Sequence, residues 1–171
     1  MRKDSCPFLD NAGAGKCLYA DWEICPYWFK GCPFSSSTPK IKVLVKKPDC
    51  APEVQEIEND WKEFKRLIGG GTLQCVTIGA GIMMYCDDEG KLEHKQLPYN
   101  FSLGKWDFVV GDVVFFGNDG GEAEQSLTTD DQIEYLQYML HYNHVAILRC
   151  EQDLQFVLKN KRLIDERRKG V

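Results

Sequence analysis

The sequence predicts an α+β protein in which a small cysteine-rich zinc module precedes a mainly antiparallel sheet with two helices. Four of the eight cysteines lie within the first 32 residues, where the hydrophobic residues show no regular period. A Ser/Pro-rich joint, PFSSSTPK, follows at residues 33–40 and indicates a domain boundary. Beyond it, short β-branched runs occur together with two stretches of helical period. We therefore assign residues 1–36 to the zinc module and residues 40–171 to the α+β domain.

The cysteine cluster has the pattern of a structural metal site. Its spacing is C-x10-C-x7-C-x6-C, and three of the four cysteines begin a Cys-Pro-aromatic triplet. Proline after a cysteine fixes φ and stiffens the turn that presents the thiolate. Four thiolates complete a tetrahedral Zn²⁺ sphere, and bound zinc would supply the folding energy that so short a segment lacks. The predicted zinc ligands are Cys6, Cys17, Cys25 and Cys32.

Two other interpretations of these cysteines remain open. Two disulfides would also stabilise a small scaffold, but the chain opens MRKDSCPF without an apolar signal segment, so we expect no export to an oxidising compartment. Unliganded buried thiols are the second alternative. Cys50 is a further candidate ligand that could replace one of the four cysteines.

The first half of the domain is predicted to contain a strand, a second extended piece and a helix. Ile41–Val45 (IKVLV) alternates and is β-branched, which predicts a strand, and residues 53–59 (EVQEIEN) continue as an extended piece. Asp60 followed by Glu63 predicts a capping box at the start of the helix, and Gly69–Gly71 predicts its end. The predicted inner face of this helix comprises Trp61, Phe64, Leu67 and Ile68.

The middle of the domain is predicted to be rich in strands. The run from residue 72 to residue 92 predicts an antiparallel hairpin or a bulged strand around Gly79–Gly81. Residues 96–103 are expected to cross the sheet as a loop. Residues 107–117, DFVVGDVVFFG, predict one buried strand that bends at Gly111.

The last third is predicted to contain the second helix and a final hairpin. Thr128 or Thr129 caps the helix. Its predicted inner face comprises Ile133, Leu136, Met139 and Leu140. Residues 145–150 and 154–158 are expected to pair as a hairpin, followed by a frayed, charged tail.

The charge distribution is uneven, although the net charge of −5 is mild. Residues 87–134 carry twelve acidic and three basic residues, a local charge of −9, whereas residues 1–50 and 135–171 each sum to +3. An acidic patch repels nucleic acid and attracts basic protein surfaces, including grooves that themselves hold nucleic acid. The alternative is that these acids only cover a solvated face.

No constellation of residues predicts an enzyme. GAGKC at residues 13–17 is similar to the end of a phosphate-binding loop, but Asp10 and Cys17 stand where that loop needs Gly and Ser or Thr. His141 and His144 would share one helical face if the helix persisted, but they lack a third metal ligand nearby. The residues therefore predict a binding protein without catalytic activity.

The remaining cysteines and the hydropathy pattern complete this prediction. Cys75, Cys86 and Cys150 lie in apolar strand patterns and are expected to be core residues. No run approaches the roughly 18 apolar residues of a membrane span, so we expect a cytoplasmic protein.

Residues 41 to about 140 resemble an uncharacterised domain found in phages, prophages and mobile elements of Gram-positive bacteria. The resemblance is carried by IKVLVKKP, DWKEFKRLIGG, DEGKL, LPYN, FVVGDVVFFG and LTTDDQIEYLQYML. The preceding segment CPF…C…CPYWFKGC is similar to short zinc modules that the same kinds of elements encode. Together they imply a phage accessory protein.

The combination of the two parts resembles streptococcal-phage anti-CRISPR proteins directed against the type II RNA-guided Cas nuclease. This resemblance implies a stoichiometric inhibitor in the host cell cytoplasm, which binds the effector nuclease and prevents loading or cleavage of target DNA without contacting nucleic acid or a membrane. Such nucleases hold nucleic acid in positively charged channels, which an acidic surface fits. The predicted contact residues are Asp119, Glu122, Glu124, Asp130 and Asp131.

Two further function classes remain alternatives. The first is a zinc-containing nucleic-acid-binding or regulatory phage protein. In it, basic residues of the cysteine module would bind the phosphates of a nucleic-acid strand and aromatic residues would stack on its bases. These residues are Lys3, Lys16, Lys30, Trp22, Tyr27 and Trp28. The second is a protein that sequesters a nucleotide signal, with Gly69–Gly71 or Gly79–Gly81 approaching its phosphates, although a helix stop and a hairpin bend explain these glycines more simply.

Overall fold

The computed structural model describes residues 39–118, 120, 124–127 and 129–169. These residues form eight strands and three helices within a unit that spans Lys40–Val171. In chain order the elements are β1 (Lys40–Lys46), β2 (Glu53–Glu58), α1 (Trp61–Leu67), β3 (Leu73–Gly79), β4 (Ile82–Asp87), β5 (Tyr99–Leu103), β6 (Asp107–Val110), β7 (Val113–Gly117), α2 (Asp130–His141), β8 (His144–Val145) and α3 (Glu151–Lys169). The predicted zinc module at residues 1–36 lies outside the described residues.

The described strands form two sheets. The five-stranded sheet has the order β2-β1-β7-β4-β3, and all of its neighbouring strands are antiparallel. The three-stranded sheet has the order β6-β5-β8, in which β5 and β6 are antiparallel and β5 and β8 are parallel. The predicted α+β class with a mainly antiparallel sheet is therefore confirmed, with a third helix that the sequence pattern did not indicate.

The two faces of the five-stranded sheet bury separate hydrophobic clusters, because successive side chains of a strand point to opposite faces. One face, with Leu44, Met84 and Phe115, packs in one cluster with residues of the three-stranded sheet, α2 and α3. The other face, with Val43 and Val114, packs with residues of α1. The sheet is therefore covered on both sides.

Helix α1 begins and ends close to where the sequence predicts. Asp60 is its N-cap and accepts a hydrogen bond from the Lys62 backbone N–H at 3.0 Å. The predicted capping box does not form. The Glu63 carboxylate accepts a hydrogen bond from the Arg66 guanidinium at 2.8 Å instead of from the backbone of Asp60. Trp61 was also predicted to face inward, but it is 60% exposed, so the inner face is narrower than predicted.

The hairpin predicted around Gly79–Gly81 is confirmed. Strands β3 and β4 pair in antiparallel register, with an irregularity between Thr77 and Gly79. Gly79 and Gly81 have φ values of +101° and +70°, and Ala80 between them has +50°. These left-handed conformations explain why glycine occurs twice in so short a turn.

The predictions for residues 96–117 need two corrections. Tyr99–Leu103, expected to be loop, is strand β5, which lies between β6 and β8. The expected single bent strand is two strands, β6 and β7, that belong to different sheets. The break comes at Gly111, which has φ +69°, so the bend passes the chain from one sheet to the other.

The predictions for the C-terminal region are right for α2 and wrong beyond it. Thr129 caps α2 in a complete capping box with Gln132. The expected last hairpin does not form, because residues 146–150 lie outside any strand and residues 154–158 belong to α3. The expected frayed tail is also part of α3, whose buried Leu154 and Leu158 join the core cluster. His144 belongs to β8 and not to the α2 helix, so it does not share a helical face with His141.

Only part of the cysteine prediction for this domain is correct. Cys86 is buried, and its thiol donates to Gln74 Oε1 at 3.5 Å. Burial raises the pKa of that thiol to about 11. Cys75 and Cys150, expected in the core, are exposed, because Cys75 lies on edge strand β3 and Cys150 directly precedes α3.

Candidate functional site

Three of the five predicted contact residues lie in the part of the chain that the structure describes. These are Glu124, Asp130 and Asp131, whereas Asp119 and Glu122 lie outside the described residues. Glu124 follows β7, and the two aspartates form the first turn of α2.

The backbone of residues 124–127 is fixed to the five-stranded sheet. Gln125 and Gly117 form an antiparallel bridge and exchange two backbone hydrogen bonds of 2.9 Å. On the β1 side, the Lys42 N–H donates to Ser126 Oγ at 3.0 Å, and the Leu127 N–H donates to the Lys42 carbonyl at 2.9 Å. The segment that carries Glu124 is therefore held in place by both neighbouring strands.

The Glu124 carboxylate is itself held by a tyrosine. The Tyr85 hydroxyl donates to Glu124 Oε1 at 2.6 Å. Burial and this hydrogen bond to Glu124 raise the pKa of Tyr85 above its usual value, so the tyrosine remains a proton donor to the carboxylate. A half-buried carboxylate with one fixed donor keeps further lone pairs for a partner.

A second contact adds residues that sequence reasoning missed. Asn59 Nδ2 donates to the Glu124 backbone carbonyl at 2.9 Å and so joins the β2–α1 turn to this segment. Exposed Glu58, the last residue of β2, directly precedes Asn59. Glu58 is difficult to recognise as a site residue from the sequence, because it lies outside the strongly acidic stretch at residues 87–134.

The start of α2 lies at the same end of the sheet. In the sheet register Glu58 is opposite Lys40 at the start of β1, and Gly117 is opposite Ile82 at the start of β4. Gln132 Nε2 in the first turn of α2 donates to the Ala80 carbonyl, which directly precedes β4, at 3.0 Å. We call this region the acidic end and define it by Glu58, Glu124, Asp130 and Asp131.

The residues of the acidic end differ in their internal partners. Asp131 accepts from Arg162 at 3.1 Å and from Gln155 at 2.9 Å, both on α3. Glu58, Glu124 and Asp130 make no salt bridge with any residue that the structure describes. Three carboxylates at one end of the sheet thus form no salt bridge within the described fold, although Lys40 lies directly opposite Glu58 in the sheet register.

Other acids of the stretch at residues 87–134 are neutralised within the domain. Glu134 binds Lys161 at 2.7 Å and Arg162 at 3.1 Å, and the Lys161 hydrogen bond is the main cause of the lowered pKa of Glu134. Asp107 binds Lys91 at 2.6 Å, and Asp87 pairs with Lys95. The acidity of the sequence therefore overstates the free negative charge of the surface.

The described residues contain neither a metal-binding cluster nor a membrane-spanning helix. Among residues 39–169, apart from the gaps given above, no group of three or more His, Cys, Asp or Glu side chains is placed to hold a metal ion. Within the same ranges, no helix is both long and apolar enough to cross a membrane. The four predicted zinc ligands lie outside these ranges.

The fold and this surface define a two-sheet α+β domain with one acidic end. The family described as a domain of unknown function, DUF3846, matches residues 41–141. Since the match covers more than half of the 171 residues, the chain belongs to the DUF3846 family. Neither the search of curated proteins nor the search of solved structures found a match.

Proposed function

We propose that this protein is a non-enzymatic phage accessory protein that binds a basic surface of a partner protein through its acidic end. The observation that carries the proposal is the presence at one end of the sheet of three carboxylates without a salt bridge in the described fold, those of Glu58, Glu124 and Asp130. The backbone around Glu124 and the start of α2 is fixed by the hydrogen bonds described above. The Glu124 carboxylate is also held by Tyr85, so it loses little entropy when a Lys or Arg side chain binds it.

The proposed partner is a type II RNA-guided Cas nuclease in the cytoplasm of the host cell. Such an effector holds nucleic acid in a positively charged channel, and an acidic protein that occupies or borders the channel excludes target DNA. The protein would act as a stoichiometric inhibitor. The resemblance to streptococcal-phage anti-CRISPR proteins supports this partner, and the charge of the acidic end is compatible with it.

Charge reversal at the acidic end is expected to weaken binding to the effector. In the double variant Glu58→Lys/Asp130→Lys, both side chains are exposed and have no salt bridge within the described fold, so the change should leave the fold intact. The two introduced lysines would repel the basic surface of the partner. The Kd should therefore rise at least about tenfold, mainly because association is slower. Binding to the purified effector–guide RNA complex, measured by biolayer interferometry at two salt concentrations, tests this.

The matched control reverses two exposed acids at the other end of the same sheet. Asp88 and Glu93 follow β4, whose opposite end adjoins the acidic end, and neither forms a salt bridge with a described residue. The variant Asp88→Lys/Glu93→Lys changes the net charge equally and should leave the Kd within about twofold of the parent value. Equal losses in the two double variants would mean that only the overall charge matters, and the acidic end would not be the interface.

We also propose that Cys6, Cys17, Cys25 and Cys32 bind one structural Zn²⁺. The spacing and the Cys-Pro triplets support this, and four thiolates leave no open coordination position for catalysis. Protein purified without chelator should contain about one zinc per chain, and each Cys→Ser change among the four should remove it. Cys75→Ser and Cys150→Ser are the controls, and Cys50→Ser shows whether Cys50 replaces a ligand. A parent protein without zinc would overturn this proposal.

A second candidate function, binding of nucleic acid, is favoured by the C-terminal half of α3. Residues 159–169 carry six basic and two acidic residues. Lys159, Arg167, Arg168 and Lys169 make no salt bridge with any described residue. Retention on heparin with a steep salt dependence would support this candidate, whereas an inhibitor that docks through acidic residues would show neither.

A further inference from the structure

A second surface feature lies at the opposite end of the five-stranded sheet from the acidic end. It is an open cavity of about 590 Å³ between the end of β1, the turn that leads to β2, the start of β5 and the C-terminal part of α2. Polar and ionisable side chains dominate its lining. They include Lys46, Asp49, Cys50, Tyr99, Asn100 and His141.

Lys46 is the unusual member of this lining. It is only 3% exposed, although lysine is rarely buried without a counterion. Its ammonium group donates to the Lys47 carbonyl at 2.7 Å, and no carboxylate among the described residues lies within salt-bridge distance. An ammonium has three donors, so this single bond leaves capacity for an acceptor in the cavity.

The backbone around Lys46 is fixed by its neighbours. The Lys47 carbonyl also accepts from the Cys50 N–H at 3.2 Å, which closes the turn after β1. Asn100 Nδ2 donates to the carbonyls of Lys46 and Gly111 at 3.1 and 2.7 Å and so ties the two sheets together at this point. Asn100 Oδ1, which lines the cavity with Lys46, is buried without a hydrogen-bond partner among the described residues. As an acceptor it would pair with a donor group of a ligand and not with an oxyanion.

The turn after β1 contains one residue in the left-handed region. Asp49 has φ +56°, a conformation that aspartate adopts more readily than most residues other than glycine, so it fits an ordinary turn. The cavity thus combines a buried cation, which can bind an anionic group, with an unsatisfied amide oxygen, which can accept from a donor group of the same ligand.

We propose that this cavity binds a small molecule through a carboxylate or phosphate group, which accepts hydrogen bonds from the Lys46 ammonium. The volume lies within the range of roughly 300–1,000 Å³ that is typical of small-molecule sites. Tyr99 and His141, both exposed in the lining, are placed to contact the remainder of the ligand. The site is distinct from the acidic end, and the proposal does not depend on the proposed partner.

The protonation of Lys46 is consistent with an anionic ligand. Burial lowers the pKa of the Lys46 ammonium, whereas the neighbouring Cys50 and Asp49 oppose this effect. A lowered pKa means that the charged form destabilises the fold below that pKa and that this penalty declines as the pH rises through it. A bound oxyanion would offset the penalty by pairing with the cation.

Titration with defined anions tests the proposal on the full chain. The probes are acetate, inorganic phosphate, adenosine monophosphate and uncharged adenosine, followed by amide chemical shifts in two-dimensional NMR spectra. We expect saturable shifts at Lys46, Cys50 and Asn100 with at least one of the three anions and none with adenosine. The strongest of the three anions identifies whether the oxyanion is a carboxylate, a free phosphate or a phosphate monoester. Shifts confined to the basic C-terminal half of α3, or no shifts with any anion, would overturn the proposal.

A pair of variants then isolates the ammonium group. Lys46→Met removes the charge but keeps most of the length of the side chain, and Lys42→Met makes the same change at an exposed position four residues earlier on the same face of β1. We expect the Kd for the bound anion to rise at least about tenfold in Lys46→Met and to stay within about twofold in Lys42→Met. Equal affinities in the two variants would overturn the proposal. If Lys46→Met fails to fold, the residue-resolved shifts of the parent protein decide the question.

Discussion

Replacing Phe64 with alanine is expected to lower the free energy of unfolding by about 3–5 kcal/mol. Phe64 is fully buried in α1 and packs edge-to-face against Tyr85 and Phe116, with ring centroids 5.1 and 5.4 Å away. Its loss would leave a cavity in the cluster that fills the α1 face of the sheet. Urea denaturation followed by far-UV circular dichroism measures the change.

Trp61 provides the control for Phe64, because the two residues lie on the same seven-residue helix. Trp61 is larger but 60% exposed, so Trp61→Ala should cost less than about 1 kcal/mol. Comparable losses in the two variants would show that α1 packs on the sheet through a different face. The comparison therefore tests the orientation of the helix directly.

The second large effect is expected at Gly79, where the β3–β4 hairpin turns. Gly79 has φ +101°, and a Cβ atom there would overlap the Leu148 carbonyl oxygen. The Leu148 N–H donates to the neighbouring Ile78 carbonyl at 2.7 Å, so moving Leu148 aside would weaken that bond as well. Gly79→Ala should therefore lower the free energy of unfolding by about 2–4 kcal/mol.

Gly70 separates the two causes of this effect. It has φ +86°, but nothing lies within 4 Å of the position that its Cβ would occupy. Gly70→Ala should lower the free energy of unfolding by about 1–2 kcal/mol, because alanine is unfavourable in the left-handed conformation and meets no clash there. Thermal and urea denaturation of the two variants would measure the difference, and an equal cost at both positions would show that Leu148 does not pack against the hairpin.

Local signals predicted much of this fold. The strand at Ile41–Val45, the N-cap of α1 at Asp60, the β3–β4 hairpin and the start of α2 all depend on residues close together in the sequence. Alternation, caps and glycine turns are properties of short segments, so they can be recognised without knowing what packs where.

The C-terminal helix was missed because its stability comes from tertiary contacts. Leu154 and Leu158 are spaced by four residues and provide the only buried positions on its described residues. The rest of the helix is held by side-chain hydrogen bonds, such as those that Lys161 and Arg162 donate to carboxylates of α2. These bonds join residues that are 27 and 31 positions apart in the chain. Such a helix has a weak hydrophobic period, so its two short apolar runs predict a hairpin instead.

The second sheet was missed for a related reason. Strand β5 is only five residues long, and its parallel partner β8 has two residues. Its pairing with β8 joins Ser102 to His144, far apart in the chain. The run at residues 107–117 gave no indication that Gly111 divides it between two sheets, because apolar residues predominate on both sides of Gly111.

The candidate site was predictable in part. Sequence reasoning selected Glu124, Asp130 and Asp131, but it could not show that Asp131 pairs with Arg162 or that Glu58 lies at the same end of the sheet. Both facts depend on contacts between distant residues. The Lys46 cavity gave no sequence signal, because a lysine at the end of a strand is ordinarily exposed.

The two ends of the sheet have different proposed roles. The acidic end presents carboxylates without internal salt bridges, those of Glu58, Glu124 and Asp130, to a basic protein, and the Lys46 cavity presents a buried cation to a small anion. Helix α2 runs from Asp130 at the acidic end to His141 at the cavity. The two proposals are independent, because the test variants for one leave the residues of the other unchanged.

Loading of target DNA onto a purified type II Cas effector–guide RNA complex is the most direct test of the proposed function. Fluorescence anisotropy of labelled target DNA is followed as the full-length protein is added. Our account predicts that DNA loading falls to background at about one molecule of protein per effector, and that high salt reverses this effect. Unchanged DNA loading in the presence of excess protein, with no complex formed at low salt, would contradict it.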